Sequence, residues 1–149
     1  MELDNVDKGI LSFLQDNARS SFVKIARKIG VSEGTVHLRV RKLLEKGIIR
    51  GFYAIVNPEK VGLAIRAFIG LQAEPAMYEN ILKKLAEMDS VYAIYDVTGE
   101  YSALIDVKVR NKEELTKVID LVGSIPGVKT TVTMLVLRVI KEKFKVEIP

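Results

Sequence analysis

Residues 21–43, SFVKIARKIGVSEGTVHLRVRKL, constrain this chain more than any other stretch. They read as two short helices joined by a tight turn. Ala26 is small where two helices cross closely, and Gly30 stands four residues on, where the chain must turn and a Cβ is costly. Ser32 is a good N-cap for the next helix, and Glu33 adds negative charge to its first turn. Val36, Val40 and Leu43 then form one apolar stripe at i, i+4 and i+7. Opposite it lie Gly34, Leu38, Arg41 and Lys42, flanked by Thr35, His37 and Arg39. A helix with one apolar face and one basic face, presented by a turn, suits the major groove of duplex DNA.

Charge follows the same division. Residues 1–62 carry eleven Lys and Arg against seven Asp and Glu, whereas residues 63–149 carry twelve of each. The excess sharpens within residues 19–50, with nine basic residues against two acidic ones. Such a patch is either a solvated face or the footprint of a polyanion, and its coincidence with the helix-turn-helix favours nucleic acid.

Other features narrow the class. Apolar residues make up 48% of the 149, enough for a core. No run of 18 apolar residues predicts a membrane span, and MELDNVDKG lacks the layout of a signal peptide. There is no cysteine, so disulfides, thiol catalysis and cysteine metal sites are excluded, which fits a cytoplasmic protein. His37 is the single histidine, which leaves no triad or multi-histidine metal site within one chain. With no phosphate loop and no paired-carboxylate motif either, no catalytic residue, metal or cofactor is expected.

Asp4 reads as the N-cap of a first helix running to about Asp16, with Asp7 three residues on and Leu3 as a staple. Helices follow over about 21–29 and 33–46, the last stopped by Gly47. Ile48–Asn57 reads as a strand long enough to pair with a second copy, and Pro58 and Gly62 punctuate a hinge. The division is therefore 1–47 as a DNA-binding domain, 48–62 as linker strand and hinge, and 63–149 as a second domain. Strand-like runs at 64–73, 91–98, 103–109 and 128–143 alternate with helical spacing after Tyr78 and after Asn111. The order β-α-β-β-α-β predicts an antiparallel sheet with two helices on one face, leaving the other face open to self-association. The fold class is α+β: an N-terminal helix-turn-helix (winged-helix-like) domain plus a C-terminal βαββαβ ferredoxin-like domain.

Each basic candidate has a bland alternative. Ser32, Glu33, Gly34 and Thr35 begin the recognition helix, where free N–H groups favour phosphate and the first side chains reach bases; Ser32 could equally serve only as a cap. His37 is a donor to phosphate or base, or a silent surface residue. Leu38, Arg41 and Lys42 point away from the core stripe, and arginine reads guanine with two bonds. Arg39 lies nearer the buried side, where a structural ion pair competes with a DNA contact. Arg19, Lys24, Arg27 and Lys28 are expected at phosphates or in solvent, setting affinity rather than sequence preference. Asp96 and Asp106 read as solvent-facing strand residues.

Several short segments, in this order and spacing, carry a resemblance: LDNVD (3–7), DNAR (16–19), Ile25-Ala26, IGVS (29–32), Thr35-Val36, Arg39-Val40, Leu43, GII (47–49), VTGEY (97–101) and IPGV (125–128). Together they resemble the leucine-responsive/asparagine-regulator (Lrp/AsnC) family of bacterial and archaeal transcription regulators over nearly the whole chain. The resemblance implies a homodimer through the linker strand and second domain, and tetramers or an octamer of such dimers. It also implies an amino-acid effector near the Gly99 turn, with Gly99, Glu100, Tyr101 and Ser102 as its residues and Thr131 and Thr133 brought near. Where the family commonly has aspartate after the turn tyrosine, this chain has Ser102. A glycine turn offers N–H groups to a carboxylate, and Glu100 could pair with an ammonium. The expected function is a sequence-specific regulator of a promoter or operator in double-stranded DNA, tuned by an amino acid. The alternatives are an architectural DNA packer and an amino-acid-sensing subunit of a metabolic enzyme.

Overall fold

Asp4 opens the first helix by meeting donors that every helix leaves unpaired. Its carboxylate accepts the Asp7 N–H at 2.9 Å while the Asp7 carboxylate accepts the Asp4 N–H at 3.3 Å, a reciprocal capping box. In this computed structural model, which describes residues 2–149, the helix α1 spans Asn5–Asp16. It is followed by α2, Phe22–Ile29, and α3, Glu33–Glu45. Gly30 takes the left-handed conformation (φ +76°) between α2 and α3, so that its N–H and that of Val31 both return to the Ala26 carbonyl. Ile10, Leu14, Ile25, Ala26, Val36, Val40 and Leu43 bury one face of each helix in a shared core.

This unit comprises the described residues up to Ile55 and, rejoining it, Lys141–Pro149. The returning segment is anchored on α1. The Gln15 side chain accepts the Val146 N–H (2.8 Å) and donates to its carbonyl (3.1 Å), Lys145 pairs with Asp16, and Ile148 packs against the helical core. The expected second domain runs over 63–149; its last nine residues pack with the helical unit.

Within one copy, residues 48–57 have no ladder partner among the described residues; the expected linker strand is one whose neighbour would be a second copy. Phe52, Tyr53, Ile55 and Val56 stand exposed along it.

The second unit, Val56–Ile140, contains β1 (Ile65–Ala73), α4 (Tyr78–Ala86), β2 (Val91–Asp96), β3 (Ala103–Val109), α5 (Lys112–Ser124) and β4 (Val128–Leu135). Asn111 caps α5 through the Glu114 N–H. The sheet order is β2-β3-β1-β4 with antiparallel neighbours. Ala67, Ile69 and Leu71 of β1 alternate inward with Ala103, Ile105, Val107 and Val109 of β3. Against them pack Ile81 and Leu85 of α4 and Val118 and Val122 of α5. The register puts Phe68, Leu104, Val132 and Met134 on the other face, which no helix among the described residues covers. The last strand is shorter than the expected 128–143. After Leu135 only the Val136 N–H reaches β1, at the Arg66 carbonyl, and the β-branched run beyond it has no ladder to join.

Asp106 corrects another expectation. It lies on the open face, yet it is 5% exposed, because its carboxylate receives the Arg66 guanidinium through two bonds (3.0 and 2.9 Å) and Lys108 at 3.1 Å. Arg66 in turn lies over the Phe68 ring and Lys108 over Tyr92, so aliphatic stems and aromatic faces shield the acid.

Candidate functional site

The recognition helix is set by its first turn. Ser32 Oγ accepts the Thr35 N–H at 3.1 Å and meets Thr35 Oγ1 at 2.8 Å. With Val36, Val40 and Leu43 buried beneath, Ser32, Glu33, Gly34, His37, Leu38, Arg41 and Lys42 are all exposed on α3, while Thr35 is half-buried. Leu38 is 70% exposed, an apolar group on a polar face of the kind that meets a thymine methyl. His37 is held sideways by the Phe22 ring (centroids 4.6 Å apart, edge-to-face) and by Glu33 at 3.5 Å. Arg41 makes only an exposed ion pair with Glu45, one turn on, and a pair of that kind is readily exchanged for a phosphate or a base. Arg19, Lys24, Arg27 and Lys28 are exposed, and the last three border a shallow recess on α2.

Arg39 is engaged elsewhere. Its guanidinium binds Asp4 at 2.7 Å and the buried Asp7 at 3.2 Å, tying α3 to the cap of α1. The Asp7 N–H bond and the Arg39 charge hold the Asp4 carboxyl below its ordinary range, and Asp4 raises Arg39 in return. The structure thus joins Arg39 to the scaffold that aims α3.

The second cluster surrounds the hairpin between β2 and β3. Gly99 adopts φ +108°, a conformation that favours glycine. The Ser102 N–H donates to the Leu71 carbonyl at 2.8 Å, and Ser102 Oγ accepts the Ala73 N–H at 3.2 Å, so the hairpin is stitched to β1. The Tyr78 hydroxyl lies between the Asp96 carboxylate and the Ser102 carbonyl, 2.9 Å from the latter. Burial first, and then the Asp96 charge, push the Tyr78 phenol up to about 12. The Tyr101 ring lies against Gly70 on the open face. Among the described residues, the N–H groups of 99–101 meet no acceptor.

Gly99, Glu100, Tyr101 and Ser102 therefore come together, but Thr131 and Thr133 do not join them. These two pair with Leu71 and Ile69 and share the helix-facing side of the sheet, opposite the side that Tyr101 covers. The period of two decides this. Its neighbour Thr130 is the residue on the hairpin's side. Thr130 Oγ1 donates to Gln72 Oε1, and Gln72 Nε2 donates to the Glu100 carbonyl. Gln72, Thr130, Tyr78 and Asp96 were not singled out from sequence as site residues. The available signal was the outward phase of Gln72 within the alternating run 64–73.

Comparison with known proteins places each half of the chain in a family. Residues 3–50 match the winged helix-turn-helix DNA-binding family, and residues 66–146 match the Lrp/AsnC ligand binding domain family. The chain is 39% identical over 140 residues to HTH-type transcriptional regulator FL11 of Pyrococcus horikoshii, covering 94% of this chain and 93% of that protein. The fold superposes on Escherichia coli AsnC with a TM-score of 0.90 at 36% identity, covering 96% and 97% of the two chains. It superposes equally, with a TM-score of 0.90 at 26% identity, on a Neisseria meningitidis transcriptional regulator solved as its L-Met complex, covering 98% and 97%. No helix among the described residues is long and apolar enough to cross a membrane. A DNA-reading helix unit joined to this βαββαβ unit, with these relatives, means that the chain belongs to the Lrp/AsnC family of helix-turn-helix transcription regulators and is not an enzyme.

Proposed function

We propose that this chain is a sequence-specific regulator whose assembly or DNA affinity is modulated by a small amino acid. The observation that carries the DNA half is α3 itself: Leu38, Arg41 and Lys42 project from a helix whose opposite side is locked in the core. Residues 1–47 read DNA, 48–62 form the hinge, and the βαββαβ unit carries the effector turn Gly99–Ser102. Arg41 reads a base, Ser32, Glu33, Gly34, Thr35, His37 and Leu38 line the groove, and Arg19, Lys24, Arg27, Lys28 and Lys42 neutralise phosphates. The family's ligand-binding domain and the L-Met complex of the Neisseria relative support the effector half.

The active form is a homodimer, and dimers assemble further, up to an octamer. Exposed Phe52, Tyr53, Ile55 and Val56 and the apolar open face of the sheet are surfaces suited to a second copy. Two recognition helices then address half-sites about one helical turn apart. An effector alters DNA affinity only if it binds one assembly state better than another.

Duplex binding measured against salt and competitor DNA tests this reading. Affinity that falls steeply with salt and survives nonspecific competitor supports a site-specific regulator. Binding that competitor abolishes identifies a DNA packer instead. A thermal-shift screen with the twenty amino acids tests the effector: a ligand at about 100 times its Kd adds roughly 2.7 kcal/mol.

A further inference from the structure

We propose that Glu33 sets the sequence preference at one position of each DNA half-site, by accepting a hydrogen bond from the amino group of a cytosine in the major groove. This rests on the DNA reading above, in which Glu33 lines the groove, and names the base that it selects.

An acid on a DNA-reading surface is repelled by the phosphates of every duplex, so it weakens binding to all sequences alike. The repulsion is offset only where a base edge offers a donor. In the major groove guanine presents the N7 and O6 acceptors and thymine the O4 acceptor, whereas cytosine presents its N4 amino group. Adenine sets an acceptor beside its amino group. A carboxylate therefore gains most at cytosine, and the penalty elsewhere sharpens the choice.

Among the acids of α1–α3 and their caps, Glu33 is the one left available. Asp4 and Asp7 meet Arg39, Asp16 meets Lys145 and Glu45 meets Arg41, whereas Glu33 meets no Lys or Arg among the described residues. Glu33 is the first residue of α3, at the end of a recognition helix that reaches base edges. Glu45 is the last, about 18 Å away along the axis. Capping does not account for Glu33, since Ser32 accepts the Thr35 N–H. An acid also favours a helix N-terminus through the dipole, but that needs no particular orientation of the side chain. Here an orientation is supplied. The Glu33 carboxylate lies 3.5 Å from His37 Nε2, and the His37 ring stands edge-on to Phe22, which packs on the helical core. The core thus holds Phe22, Phe22 holds the imidazole, and the imidazole orients the acid. His37 is accordingly a positioning residue, acting through Glu33. Gly34 leaves the neighbouring space clear, where even a Cβ would meet only Ser32 Oγ, at 3.8 Å.

The test uses the full chain and a library of duplexes with a randomised centre. The unaltered chain should select cytosine at one position of each half-site. Replacing that C·G pair should weaken its binding at least about fivefold, the lower end of the cost of one mismatched pair. In Glu33→Gln that cytosine preference should vanish, and affinity for a scrambled duplex of the same length should rise at matched salt. Glu33→Asp keeps the charge but draws it back by one methylene. It should lose the cytosine preference while holding the scrambled duplex no more tightly than the unaltered chain does. His37→Ala should reduce the same preference at the same position and no other. A Glu33→Gln chain that selects the same bases with the same penalties overturns the assignment and leaves the regulator reading standing. Tighter binding of the scrambled duplex with unchanged selection overturns it too, because the acid is then only a repulsive charge. An unaltered chain that selects no sequence overturns both.

Discussion

The Tyr101 ring occupies the space that a side chain at Gly70 would need: a Cβ built on Gly70 would lie 2.8 Å from ring atoms Cγ, Cδ1 and Cδ2. The contact is with the base of the ring, so a small rotation of the phenol does not relieve it. Gly70→Ala should therefore displace Tyr101 and loosen the Gly99 turn. The expected loss is about 1–3 kcal/mol in denaturant unfolding. If an amino acid binds, its affinity should fall as well. Equal stability of the variant would mean that the ring moves aside freely.

Arg39 and Arg41 are two residues apart on α3, yet their substitutions should fail differently. Arg39→Ala leaves the 2%-exposed Asp7 carboxylate without its cation and should cost about 1–3 kcal/mol of stability. Arg41→Ala removes only an exposed pair and should change stability by less than about 0.5 kcal/mol. It should instead weaken specific DNA binding by about 1–3 kcal/mol. Unfolding curves and operator titrations at matched salt separate the two effects.

Asp106→Ala deletes the acid shared by Arg66 and Lys108 on the open sheet face. Breaking a buried ion pair by removing one side costs about 3–5 kcal/mol, and the two remaining cations then repel each other. Hydrogen exchange should show the loss in β1 and β3 before it reaches α1–α3. Protection unchanged in β1 and β3 would argue that the cluster is solvated in solution.

Acid should weaken the helical unit through Asp4. Its carboxyl is held below the ordinary value of 3.8 in the folded chain, first by the Asp7 N–H and then by Arg39. A depressed folded value contributes stability above pH 3.8, and that contribution is lost as pH falls further, through the folded value. Asp4→Asn keeps a capping oxygen but no charge, so its stability should depend less on pH below about 4.

Alkali should reveal Tyr78. Its folded value of about 12 lies above the ordinary 10, so its contribution is complete below pH 10 and disappears as pH rises from 10 to 12. Absorbance-monitored titration of the folded protein should contain one late phenol component, absent in Tyr78→Phe.

What the sequence by itself determined is everything that depends on neighbours within about four residues. Asp4, Ser21, Ser32 and Asn111 cap their helices through N–H groups three residues on, and Gly30 and Gly47 end helices with positive φ. Alternation at 64–73 and 103–109 likewise settled which side chains enter the sheet core. Only the tertiary structure decided the long-range partners. Arg39 meets Asp4 and Asp7, more than 30 residues away, and Asp106 meets Arg66, 40 residues away. Strand register puts Thr130, rather than Thr131 and Thr133, on the side of the hairpin, and Tyr78 reaches Asp96 because α4 packs over β2. Residues 48–57 have strand-like composition but find no ladder partner among the described residues of one copy, since a ladder belongs to two segments and composition names only one of them. Local rules are additive along the chain. A charge pair, a register or a strand edge depends on what the rest of the fold brings opposite it.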